Sequence, residues 1–551
     1  MNKTNTHIIK GNIIDIFGRK IYPGEVKVEN GIISEINPIQ NSCDTYILPG
    51  LIDSHVHIES SMLIPSEFAR MAVVHGTVST VSDPHEIANV LGIEGVRYMI
   101  NNGRKVPFKF YFGAPSCVPA TAFETAGAEL TPDDIRELFE KDGLLYLSEM
   151  MNYPGVLNGD NQVLEKIRIA REFNRPVDGH APGLRGKEAE KYIQAGISTD
   201  HECFTLDEAL DKLKLGMKIL IREGSAAKNF EALHKLIKDF PEMVMFCSDD
   251  KHPNDLASGH INGIVKRALN YGYDLFDILR CASLNPVMHY GLNTGLLRIG
   301  DPADFIVIDN PDSFNVHQTY IHGILTALNG KTLIESENEN IINNFGTSFK
   351  TETDFALLTD NQSNNRICKV RVIEALDGQL ITREQHENLK CENGILLPDI
   401  KKDILKLTVV ERYKNGTPSV GFIKNFGLKK GAIASCVAHD SHNIIAVGTN
   451  DKDICSAVNA LIKHKGGISA ACEDVTEVLP LPVAGIMTNN DGYKTAEQYT
   501  DIDKLAKDFG SELNAPFMTL SFMALLVIPQ LKLSDKGLFD GEKFEFVNLN
   551  I

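Results

Sequence analysis

Between residues 47 and 250, eight short apolar runs are separated by helical segments, several of them with cap signals, and no other pattern in the chain restricts its fold more. The runs cover residues 47–57, 77–83, 108–115, 144–149, 176–180, 197–201, 217–223 and 243–250. Their length fits buried strands, with helices between them. Thr131-Pro132-Asp133-Asp134 offers an N-cap, a proline at the first helical position and two acids on the helix dipole, and Gly143 ends that helix. Thr205 with Asp207 and Glu208 opens another, which Gly216 closes. Eight β-α units predict a closed parallel sheet, a TIM (β/α)8 barrel, over residues 49–295. An open doubly wound sheet is the competing α/β fold, disfavoured because no Gly-rich phosphate loop follows the first strand.

A chain of 551 residues needs more than one core. Ahead of the barrel, Glu25-Val26-Lys27-Val28-Glu29 alternates polar with apolar, Asn30-Gly31 supplies a two-residue turn, and Ile32-Ile33-Ser34-Glu35-Ile36 returns. After it, Gly300-Asp301-Pro302-Ala303-Asp304 turns into Phe305-Ile306-Val307-Ile308-Asp309, a strand expected to rejoin the N-terminal unit. Residues 1–48 with 296–345 are therefore expected to form a small discontinuous β-sandwich. An Asn-rich linker around residues 341–350 leads to a third, α+β unit over 346–551.

His55 and His57 lie two apart on a strand and so face one side. Alone, that pair is a weak signal. Glu149, His180, His201 and Asp249, however, end the fourth, fifth, sixth and eighth runs, and barrel strands converge at their C-terminal ends. Four imidazoles and two carboxylates without a thiolate suit Mn²⁺, Fe²⁺ or Zn²⁺. Six ligands are too many for one tetrahedral ion, so two divalent ions bridged by Glu149 and a water are expected. Asp83, His85 and Glu86 follow the second run and Asp250 closes the eighth, which makes them candidate substrate contacts. Helix capping is the alternative for Asp83 and Glu86, and a solvated loop for Asp250 and His252. His439-Asp440-Ser441-His442, taken alone, reads as polar residues in a turn, with metal binding or closure over a substrate as alternatives.

The formal net charge of -18 argues against a nucleic-acid partner, which requires a basic surface, and in favour of a small neutral or cationic substrate. Ten cysteines without a C-x-x-C pair, several inside apolar runs (Cys117, Cys247, Cys281), suggest reduced thiols in the cytoplasm. The N-terminus lacks the apolar core of a leader, and the most apolar stretch, residues 517–528, is too short to span a bilayer, so no membrane partner is expected.

The run Leu48-Pro49-Gly50-Leu51-Ile52-Asp53-Ser54-His55-Val56-His57 resembles the opening of amidohydrolase superfamily barrels. Many members bridge their metals with a carboxylated lysine, whereas no lysine lies here between Lys141 and Lys166, and Glu149 takes that place. More narrowly, Asp83-Pro84-His85-Glu86-Ile87-Ala88-Asn89, Glu149-Met150-Met151-Asn152-Tyr153-Pro154-Gly155, Gly179-His180-Ala181-Pro182-Gly183 and Ser248-Asp249-Asp250-Lys251-His252-Pro253 resemble the bacterial adenine deaminase family. The likeness runs nearly end to end, through Pro516-Phe517-Met518-Thr519-Leu520-Ser521-Phe522. It implies hydrolysis of adenine to hypoxanthine and ammonia, in purine salvage, with two manganese ions, ferrous iron as the alternative and zinc disfavoured. It also implies a homodimer. Asp249 would be the general base acting on the water, with Glu149 as the second catalytic carboxylate.

The runner-up is another amidohydrolase, acting on a cyclic amide or an acylated amino sugar. The missing lysine weighs against the first and the long C-terminal unit against the second. A non-catalytic scaffold would be expected to have lost ligands. Deaminases of flipped bases carry H-x-E and P-C-x-x-C signatures, which are missing here.

Overall fold

The computed structural model describes residues 6–337, 339–358 and 366–551; Met1 to Asn5, part of the stretch read for a leader, lie outside them. Strands Thr6–Asp15, Lys20–Glu29 and Ile32–Pro38 form an antiparallel meander. Asn30 and Gly31 turn its second hairpin at φ +53° and +82°, the left-handed geometry that such a turn demands. Tyr46–Pro49 joins this sheet parallel to the first strand and antiparallel to Phe305–Ile308. Val316–Ile321, Ile324–Leu328 and Lys331–Thr332 then complete one continuous eight-stranded sheet from two separate stretches of chain. Ile13, Val26, Val28, Ile33, Ile47, Phe305 and Val307 pack on one another as its core.

The expected first strand, 47–57, is two strands. It breaks at Gly50, where a Cβ would lie 2.3 Å from Val78, and Leu51–His57 starts a parallel system. Leu51–His57 pairs with Thr77–Ser82, which pairs with Lys109–Phe112. A bridge from Ala114 to Leu147 leads to the pair Leu147–Met150 and Val177–Gly179. A further bridge, Val177 to Ile197, precedes the run Thr199–Asp200, Lys218–Arg222 and Val244–Cys247. The last strand continues as Asp249–Asp250 and pairs in parallel with Val56 and His57.

The intervening helices start where their sequence signals place them. Thr131 and Asp134 form a reciprocal capping box before Pro132–Glu137, and the Thr205 side chain accepts from the Glu208 amide before Leu206–Lys214. Gly143 and Gly216 follow in the left-handed conformation.

No regular element occurs among the described residues of 333–351. Beyond them lies a nine-stranded mixed sheet whose central strands include Ile404–Val410, Ile444–Gly448 and Ala432–Ser435, with helix Asp451–His464 against it. Helix Gly492–Asp508 packs on Pro253–Ser258 and Pro65–Ala72, and a bridge joins Leu63 to Thr488, so the third unit is docked on the parallel body. Among the described residues, no helix is long and apolar enough to cross a membrane.

Candidate metal and substrate site

The parallel strands deliver their last residues to one buried place. His55 and His57 leave Leu51–His57 on the same side, with their Nε2 atoms 3.2 Å apart. Asp249 Oδ1 lies 3.5 Å from His55 Nε2 and 3.2 Å from His57 Nε2. This aspartate sits at φ +54°, a conformation aspartate tolerates better than most residues. Its Oδ2 accepts from Arg222 Nη1 at 2.5 Å.

Glu149 reaches four imidazoles from the opposite side. Its Oε1 is 3.4 Å from His57 Nε2, while Oε2 is 2.8 Å from His180 Nδ1, 3.1 Å from His201 Nε2 and 3.8 Å from His55 Nε2. The His55 and His201 rings stack 4.1 Å apart. All six side chains are buried.

Burial by itself would favour neutral carboxyls. Against it, His180 leads the groups that hold Glu149 well below the usual carboxylate range, and Arg222 leads those that do so for Asp249. Burial, together with His201, lowers His55. At His180, Glu202 and Glu149 overcome burial and raise the imidazole to about 9.

A supporting layer orients these groups. His57 Nδ1 faces the Asp83 carbonyl at 3.3 Å, which leaves Nε2 free for the centre. Asp53 accepts from the Ser248 amide at 3.0 Å and contacts His260 Nε2 at 2.8 Å, locking the first strand to the last. Tyr192 donates to the Met150 carbonyl at 2.7 Å and accepts from the His180 amide at 3.1 Å.

The candidate substrate residues adjoin the centre. His85 Nδ1 lies 3.1 Å from Asp83 Oδ2 and 3.7 Å from Glu149 Oε1. Asp83 is not the cap of helix His85–Gly103: the capping position is Pro84, with no side-chain cap bond, and Asp83 Oδ1 instead accepts from the His85 amide at 3.1 Å. Glu86 lies in the first turn of this helix, as the alternative reading had it, and is also gripped by His439 and His442 of the third unit. Asp250 is no solvated loop residue either; it is buried and accepts from Ser60 Oγ at 2.5 Å. His252 is buried against Tyr499, outside this lining. The polar turn expected at residues 439–442 is present, but all four side chains are buried. The cause is the docking of the third unit, which turns them onto the ends of the parallel strands.

Several neighbours escaped the sequence reading. Glu202 directly follows His201 and ion-pairs with Arg222, which ends the seventh parallel strand. The strand-end rule that found Glu149 points to Arg222 equally well. Leu380, Phe522 and Leu525 line the same cavity, and nothing local in the sequence marks them.

The donors suit divalent cations. His55, His57 and Asp249 present ligand atoms within 4.8 Å of one another, as do His55, Glu149 and His201, and His180, His201 and Glu202. His180 Nε2 is buried without a hydrogen-bond partner, a costly state for a polar atom that nothing coordinates. Nitrogen and carboxylate donors without thiolate match borderline and hard divalent ions.

The amidohydrolase family model matches residues 46–332, and the model of the adenine deaminase C-terminal domain matches residues 379–545. A curated adenine deaminase of Sulfurovum sp. (strain NBC37-1) is 58% identical over 541 residues, which cover 98% of this chain and 99% of the relative. Those of Salinibacter ruber and Borreliella burgdorferi are 54% and 50% identical, each over 98% of this chain and over 98% and 99% of their own lengths. Amidohydrolases of this family depend on divalent metal, in keeping with the donor set. Likeness of this degree over practically the whole length, together with a distinctive C-terminal domain, shows that the chain belongs to the adenine deaminase family of amidohydrolases.

Proposed function

We propose that this chain hydrolyses adenine to hypoxanthine and ammonia at the centre formed by His55, His57, Glu149, His180, His201 and Asp249. The observation that carries the reading is full-length identity of 46–58% with curated adenine deaminases.

His55, His57 and Asp249 would hold one divalent ion and His180 with His201 the other, with Glu149 between them. Bound there, the ions supply Lewis-acid activation of water and of the substrate. Manganese is the metal of this reading, with ferrous iron the alternative. Asp249, kept ionised by Arg222, takes the proton of the attacking water and passes it toward the leaving amine. The new C–O bond forms at C6 and the C–N bond breaks there, so one water replaces one ammonia. Asp83, His85, Glu86 and Asp250 hold the edges of the base, and burial excludes bulk water.

Three separate parallel sheets, linked by the isolated bridges Ala114–Leu147 and Val177–Ile197, follow one another from Leu51–His57 round to Asp249–Asp250, and this order supports the reading of a TIM barrel over 49–295. The two-part sheet supports a small domain of 1–48 with 296–345, and the nine-stranded sheet a third over 346–551. Ten free cysteines fit a reducing, cytoplasmic setting.

The test is ammonia release from adenine by manganese-loaded protein, with adenosine, guanine and cytosine alongside. Release from adenine alone, abolished by chelation, is the expected result. No release under any metal regime would sink the assignment.

A further inference from the structure

The metal-facing residues all come from the parallel body, but one wall of the cavity belongs to the third unit: Leu380, His439, Asp440, Phe522 and Leu525. His439 is the one imidazole among them. Its ring lies on Phe522, centroids 5.3 Å apart and planes 30° apart, and is buried.

Its Nδ1 donates to Glu86 Oε1. The other oxygen of Glu86 contacts His442 Nε2, while His442 Nδ1 lies 3.2 Å from both the Ala438 amide and the Cys436 carbonyl. One end of His439 is therefore pinned to the parallel body, 353 residues away in sequence.

The other end is free. His439 Nε2 is buried without a hydrogen-bond partner. The nearest carboxylate oxygen, Asp250 Oδ1, is 3.7 Å away, too far for a hydrogen bond, and is already taken by Ser60. Glu86, Asp250 and Asp440 surround the ring with negative charge, which favours the imidazolium and makes the free nitrogen a donor. A buried donor with no acceptor is costly unless a ligand supplies one. A purine supplies one in its ring nitrogens, and its faces suit a wall of Phe522 and Leu525.

We propose that His439 contacts the substrate: its Nε2–H donates to a ring nitrogen of adenine, while Glu86 orients the imidazole and Phe522 backs it. The C-terminal unit thereby reads the base that the parallel body hydrolyses. This rests on the adenine reading above.

The test compares competitive inhibition by 1-, 3- and 7-deazaadenine, each lacking one ring nitrogen, in manganese-loaded wild type, His439→Asn and His439→Gln, with metal content measured throughout. In the wild type, one analogue should bind about ten- to a hundredfold more weakly than the other two, the cost of one hydrogen bond to a charged group. Asn keeps a polar atom near the position of Nδ1 but loses the one facing the cavity, so the gap should close while both metals stay. Gln reaches toward the position of Nε2 and should restore most of the gap. A gap that survives His439→Asn, equal weakening of all three analogues, or no gap in the wild type would overturn the proposal. If His439→Asn does not fold, the wild-type gap and the Gln variant still decide. A wild type that never releases ammonia from adenine sinks the adenine reading itself, and that result is in hand before any variant is made.

Discussion

In the proposed reading Asp249 has to stay ionised, face the centre and accept a proton, and its neighbours divide those demands. Arg222 occupies Oδ2, so Oδ1 is left toward His55 and His57. Asp249→Asn keeps the shape and removes the proton acceptor. Circular dichroism and metal content should hold while kcat falls at least about a hundredfold; an Asn variant with both metals and most of its kcat would take Asp249 out of proton transfer. Arg222→Met leaves Glu202 and Asp249 as buried carboxylates without their cation. Denaturant unfolding should register a loss of about 3–5 kcal/mol, and a loss under about 1 kcal/mol would show that the two acids find other partners. The six clustered residues were legible because a strand end is a position set by local periodicity. Phe522 and Leu380 were not, since an apolar residue in a run looks the same whether it meets a core or a substrate.

Two elements of the third unit meet the site together through one buried lysine. Lys532, on Leu531–Ser534, donates to the Leu380 carbonyl at 2.6 Å and to the Phe522 carbonyl at 2.9 Å, tying both segments of the apolar wall. Burial lowers this ammonium from 10.5 to about 7. The unfolded chain then binds more protons than the folded one between about pH 7 and 10.5, so this group makes stability rise with pH over that window. Lys532→Met should flatten the rise, as read from urea midpoints at pH 7 and 9; an unaltered slope would show that the lysine is charged in the fold at neutral pH. Helices follow local rules more simply. Removing the Thr131 hydroxyl breaks the capping box and should cost about 1 kcal/mol in unfolding with kcat unchanged. Helix starts and stops were readable for that reason, and Pro49-Gly50 marked the end of the first β unit although the run 47–57 was carried through it; the closeness of Val78, from another strand, to Gly50 was not readable.

On the scale of the whole molecule, the centre lies where the parallel body meets the third unit, whose buried apolar side chains run together in one cluster. In the proposed reading, its ligands come from five parallel strands, while the opposite wall comes from a unit beyond the linker. Bound metal therefore cross-links elements distant in sequence, and anything that binds only the folded state stabilises it by mass action. Chelation should lower the thermal transition and abolish adenine turnover, with both restored by added manganese. A transition indifferent to chelator would show that the clustered imidazoles hold no ion.

Local chemistry decides a good deal of this protein. The alternation of apolar runs with capped helices is enough to predict parallel strands with helices between them, and the strand-end positions of His55, His57, Glu149, His180, His201 and Asp249 follow from side-chain periodicity alone. The partners of Glu86 were beyond reach. His439 and His442 stand more than 350 residues from it, in a turn whose sequence reads as solvent-exposed. They are buried because two units far apart in sequence pack on each other through a shared apolar cluster, and the shape and charge of both surfaces set that packing, which no stretch of chain encodes by itself.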